Sequence, residues 1–152
     1  MDVTFPYTVA VKLPSDPEVI PAVRKFMSEA LLVSGFSAKF AFRTEIIVDA
    51  VCNNAIVYGS ENDLNCEIEV ACKVYEDRVE VVVKDKGGSK ANVERLKEAV
   101  SKASKSAVPL TNYDSIGMGL EIVKLLSENI ELDVDTNNLT TIRVIRKRED
   151  IV

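Results

Sequence analysis

The spacing of apolar and polar positions divides the chain into stretches of strand period and stretches of helix period. Val3 to Leu13 alternates loosely and is rich in Val, Phe, Tyr and Thr, which predicts a strand. Pro6 interrupts it and so predicts a sheet edge, where a missing N–H does no damage. After Pro14, Ser15 and Asp16 offer N-cap oxygens and Pro17 suits a first helical turn. Val19, Ile20, Val23, Met27, Ala30 and Leu31 then recur at helical spacing as far as Gly35. A second helix is expected from near Ser37 to Tyr58, closed by Gly59; it is apolar almost all round and therefore packed on more than one side. Beyond the turn Glu61-Asn62-Asp63, Cys66, Ile68, Val70, Cys72 and Val74 form one face of a strand. Glu76-Asp77 leads into a second strand with Val79, Val81 and Val83 on one side, and the pair reads as a hairpin. From Gly87 to about Ser115 the composition shifts to Gly, Ser, Lys and Ala around a short helix near Val93 to Val100, which predicts a lid or long surface loop over 87–116. Helical period returns from Ile116 to Leu126. Two last strands, near Ile130 to Val134 and Thr140 to Ile145, flank the turn Asp135 to Asn138. The expected fold is α+β: one domain over 1–152, a two-layer α/β sandwich with helices on one face of a mixed, mostly antiparallel sheet.

Composition narrows the chemistry. The 152 residues suffice for one core without disulfide support, and no apolar run approaches the length of a membrane span, so a cytoplasmic protein is expected. Cys52, Cys66 and Cys72 are odd in number and form no C-x-x-C unit, which predicts reduced, mostly buried thiols. The chain has no histidine, which excludes the usual serine and cysteine triads, imidazole zinc sites and any phosphohistidine of its own. A net charge of -5 disfavours direct nucleic-acid binding; the basic stretch Arg143, Arg146, Lys147 and Arg148 reads as a solvated terminal strand and tail.

Polar residues inside the second helix need an explanation. Glu45, Asp49 and Asn53 follow one another at intervals of four and form one narrow stripe, suited to a phosphate-bound Mg²⁺, which takes only one or two protein oxygens. An exposed helix edge has the same spacing. Asn54 lies about 100° round and shares its stripe with Ala50 instead. Asp85, where a strand leaves the sheet, can accept a hydrogen bond from an exocyclic amine. Gly87 and Gly88 behind it let the backbone approach a flat ligand, although a plain Asp-Gly turn has the same sequence. Ser115-Ile-Gly-Met-Gly-Leu120 opens a helix whose free N–H groups suit phosphate oxygens; it is neither a Walker A loop nor a dinucleotide fingerprint.

The order of these elements resembles the GHKL (histidine kinase-like) ATPase superfamily with its Bergerat-type fold, and most closely the bacterial anti-sigma factor serine kinases. Asp49 to Gly59 resembles the N-box, a helix carrying a general base and, four residues later, a magnesium-binding asparagine. Asp85 and Gly87 match the box that reads the adenine amine. Gly117, Met118, Gly119 and Leu120 are similar to the glycine box that closes on the phosphates, and Thr141 is assigned by the same resemblance to the adenine end of the pocket. If Asn54-Ala55 matches the family's Asn-Ala pair, the base position falls on Ala50; if Asn53 is the ligand, Asp49 is the base. Ala55, Ile56, Tyr58 and Gly59 favour the first registration. Ser89 replaces a glycine usual at the base of the lid. The resemblance implies ATP and Mg²⁺ as cofactors, a sigma factor and its antagonist as partners, serine-protein kinase activity or ATP binding with weak transfer, and a homodimer formed through the sheet face opposite the helices. A nucleotide-independent interaction domain is the alternative.

Overall fold

The computed structural model describes residues 3–60, 66–86, 90–105, 118–137 and 139–148. Five strands, β1 (Tyr7–Pro14), β2 (Glu67–Val74), β3 (Arg78–Asp85), β4 (Asn129–Val134) and β5 (Thr140–Lys147), form one sheet in the order β1-β2-β3-β5-β4, with every neighbouring pair antiparallel. Four helices, α1 (Ile20–Val33), α2 (Ala38–Asn54), α3 (Lys90–Lys105) and α4 (Met118–Leu126), cover one face of the sheet. The expected two-layer α/β sandwich is therefore the fold.

Period-2 alternation sets the two faces. Ile68, Val70, Cys72 and Val74 of β2, Val79, Val81 and Val83 of β3, and Ile142 and Val144 of β5 are in register and buried against the helices. From above, Met27 and Leu31 of α1, Ile47, Val48 and Val51 of α2, Leu96 of α3, and Leu120 and Val123 of α4 complete the same core. Sequestering each such side chain from water contributes roughly 1.5–3 kcal/mol. That common core holds α2 and α4 against the sheet.

Three expectations change. The first strand starts at Tyr7, since Pro6 precedes it and Phe5 and Pro6 lie in a bend. Residues 90–105 of the expected lid are a longer helix than the predicted 93–100, because Val93, Leu96 and Val100 recur at helical spacing and are all buried. The basic C-terminal strand is not a solvated tail. Arg146 is 3% exposed with its guanidinium 4.4 Å from the Phe40 ring centroid, and the Arg148 guanidinium donates to the Gly35 carbonyl at 2.7 Å and lies over Phe36. No described helix is long and apolar enough to cross a membrane.

Candidate functional site

Ser37 caps α2, its hydroxyl accepting from the Phe40 N–H at 3.1 Å, and the helix runs unbroken to Asn54 before widening into a π turn over Ala55–Ser60. Such turns often interrupt helices at functional sites. Along α2 the polar side chains point three ways. Asp49 is turned to α1, where the Arg24 guanidinium donates to its Oδ1 at 2.8 Å, both groups being about 40% exposed. Asn53 is half-buried and donates to the Asp49 carbonyl at 2.7 Å. Asn54 is 7% exposed and donates to the Ala50 carbonyl at 2.7 Å through its amide nitrogen, so that its Oδ1 is the acceptor end of the group. On the helical wheel Asn54 borders Ile47 and Val51 at the edge of the core, whereas Asp49 and Asn53 lie on the outer surface.

Asp85 ends β3 and is 3% exposed. Its partner across the ladder is Thr140, also buried, whose hydroxyl finds no hydrogen bond among the described residues. Thr141 is in register with Lys84 and faces the opposite side of the sheet. The threonine beside Asp85 on the helix face is thus Thr140, where the resemblance implied Thr141. Its parity with Ile142 and Val144 was the signal that marks it. A cavity of about 290 Å³ at this end of the sheet is lined by Asp85, Lys84, Lys86, Lys12 and Leu139, with Ile68 and two glutamates of β2. A larger groove of about 520 Å³ lies on the far flank of α1 and contains none of these polar groups.

Of the glycine elements, Gly87, Gly88 and Gly117 lie outside the described residues. Met118 and Gly119 open α4, and Leu120, fully buried, anchors its first turn in the core. α4 packs against α2. The described residues contain no group of three or more acidic or cysteine ligands that would hold a metal by themselves. One amide oxygen with phosphates is, however, the usual provision for nucleotide-bound Mg²⁺.

Two comparisons bear on this arrangement. A model of the histidine kinase-like ATPase domain matches residues 13–146. Among curated proteins the chain is 26% identical to the serine-protein kinase RsbW of Bacillus licheniformis over 144 residues, covering 94% of this chain and 88% of that one. It is 25% identical to the same kinase of Bacillus pumilus, with the same coverage, and 31% identical to that of Bacillus subtilis over 81 residues, 53% of this chain and 51% of the relative.

Proposed function

Because the chain belongs to the histidine kinase-like ATPase domain family, we propose that it is a cytoplasmic ATP-binding regulator of the anti-sigma type, which holds a sigma factor in one nucleotide state and yields it to an antagonist protein in another. The observation that carries this reading is the buried pair Asp85 and Thr140. Leaving a buried hydroxyl without a partner costs about 1–3 kcal/mol. The amidine edge of adenine presents a donor, the exocyclic amine, beside an acceptor, a ring nitrogen. Asp85 would accept from the amine of a bound adenine and Thr140 would donate to its ring nitrogen.

Asn54 is the residue to hold Mg²⁺, which would neutralise phosphate charge when bound, and the N-terminus of α4, which Met118 and Gly119 open, is the element to receive the phosphates. Phosphoryl transfer further requires a group to orient or deprotonate the acceptor hydroxyl. Four residues before Asn54 stands Ala50, which accepts no proton, and Asp49 is engaged by Arg24 on the other flank of the helix. Transfer to a serine of the antagonist is therefore slow, and nucleotide acts chiefly by shifting populations of the partner surface. A second reading, an efficient serine-protein kinase with Asp49 as base and Asn53 as metal ligand, draws support from the names of the relatives and requires the Arg24–Asp49 pair to open.

Calorimetric titration of ATP with Mg²⁺ into wild-type protein and Asp85→Asn tests the core of the proposal. A charged hydrogen bond contributes about 1.5–3 kcal/mol, so the variant is expected to bind roughly tenfold to hundredfold more weakly. Absence of saturable binding by the wild type would leave a nucleotide-independent interaction domain as the function.

A further inference from the structure

α1 is apolar on two flanks. Ile20, Val23, Met27 and Leu31 enter the common core, while Phe26, Ala30 and Val33 recur at i, i+4 and i+7 as a second stripe. On that stripe Phe26 and Val33 are 51% and 64% exposed. Apolar side chains scattered singly on a surface need no explanation. These three instead line one groove of about 520 Å³ together with Val3 and Tyr7. The groove lies toward the end of the sheet away from Asp85, since Tyr7 pairs with Val74 and Val74 with Val79, whereas Asp85 closes β3 at its other end.

The few polar groups of the groove restrict what it can accept. The Tyr7 hydroxyl donates to the Ala30 carbonyl at 3.2 Å and is hydrogen-bonded to the Ser34 hydroxyl, which donates to the same carbonyl at 2.9 Å, so both protons are used within the wall. Glu29 is the one charged side chain among the described lining residues, and it stands between Phe26 and Val33 on α1. Lys25 approaches it at 3.9 Å, but both groups are largely exposed and such a pair contributes little. A second copy of this chain docked through the same groove would set a surface against itself. It would bring another carboxylate and, from the lining residues, no lysine or arginine to meet it.

We propose that this groove seats an amphipathic helix of a partner protein, with apolar side chains at i, i+3 or i+4, and i+7 laid against Phe26, Ala30 and Val33 and a lysine or arginine beside Glu29. At 1.5 Å per residue the stripe from Phe26 to Val33 is about 10 Å long, two turns of helix, which is the span of such a set of anchors. Ala30 at its middle keeps the wall low, so that the partner's largest side chain fits between the two bulkier residues. The apolar anchors supply affinity, and Glu29 selects a basic partner over an acidic one. The seat is remote from Asp85 and does not rest on nucleotide binding.

Fluorescence anisotropy of a labelled helical peptide, with leucine at i, i+3, i+4 and i+7, alanine between and lysine on the flanks, tests the proposal on the whole chain at physiological ionic strength. A twin peptide carries glutamate in place of lysine. The wild type is expected to bind the lysine peptide saturably and the twin at least about tenfold more weakly. Phe26→Ser is expected to weaken binding of the lysine peptide by about tenfold, and Glu29→Lys to exchange the preference between the peptides. Glu94→Lys, an equal change of net charge on α3, is expected to leave both affinities as they are. Val33→Ser repeats the test at a more exposed position should Phe26→Ser melt early, and ATP affinity is expected to be the same in every variant. Absence of saturable binding by the wild type overturns the proposal. So does an equal loss in Glu29→Lys and Glu94→Lys, which would mean that net charge alone attracts the peptide. Self-association that Phe26→Ser abolishes, without peptide binding, would assign the groove to a second copy and overturn it as well.

Discussion

Asn53 and Asn54 are adjacent in the chain and 100° apart on α2, and that angle separates an outer surface from the border of the core. The interval of four that joins Glu45, Asp49 and Asn53 was legible in the sequence; the destination of Asp49 was not, because the guanidinium that takes it belongs to Arg24, 25 residues earlier on another helix. The resemblance implied Thr141 for the adenine end, while the ladder sets Thr140 opposite Asp85 and Thr141 opposite Lys84. Adjacent residues of a strand face opposite sides of the sheet, and the alternation through Ile142 and Val144 marks Thr140 as the one on the core side. If Asn54 is the magnesium ligand, a carboxylate at Ala50 restores the missing base. General-base catalysis contributes roughly 10²–10⁴-fold, so Ala50→Glu is expected to raise ATP turnover by at least about tenfold at saturating Mg²⁺ and ATP, with Asp49→Asn near wild type. A turnover that instead vanishes in Asp49→Asn would move the ligand to Asn53 and the base to Asp49.

At the scale of elements, the corner between α1 and α2 is where the end of the chain returns to the middle. Gly35 adopts φ +91°, a left-handed conformation that closes α1, and Ser37 then caps α2. Arg148 binds the Gly35 carbonyl and covers Phe36, Arg146 covers Phe40, and the two rings lie tilted against each other with centroids 4.9 Å apart. The glycine, the cap and the helical periods were all readable locally. The clamp was not, since its partners are 113 residues apart and a run of arginines near a terminus has the composition of a solvated tail. The length of α3 was obscured by its Ser, Lys and Ala content, although the apolar positions Val93, Leu96 and Val100 already carried the period. Arg148→Ala removes a charged hydrogen bond and a cation–π contact, both partly exposed, and is expected to lower stability by about 1–2 kcal/mol in urea denaturation. Ser37→Ala, which deletes the N-cap, is expected to lower it by about 1 kcal/mol. Neither should change ATP affinity, because both lie at the end of the sheet away from Asp85.

For the molecule as a whole, the layered core makes stability depend on alkaline pH through two thiols. Burial pushes Cys72 of β2 up to about 12, and burial, reinforced by the negative charge of Asp49, pushes Cys52 of α2 to about 12 as well. In the unfolded chain both thiols ionise from an ordinary value near 9.0. Above that pH the unfolded state releases protons that the folded state keeps, so ionisation favours unfolding. The contribution of the neutral thiols is whole below pH 9.0 and is lost as the pH rises toward about 12. Each thiol gives a slope of up to about 1.4 kcal/mol per pH unit across that window. A comparison between variants isolates the share of one thiol. Cys72→Ala is expected to be less stable than wild type at neutral pH, because a buried side chain has been shortened, yet to lose less stability between pH 8 and 11. Urea melts at a series of pH values measure both terms. Equal slopes for variant and wild type would mean that the Cys72 thiol ionises as readily in the folded protein as in the unfolded chain, and that the sheet and α2 do not exclude water from the space between them.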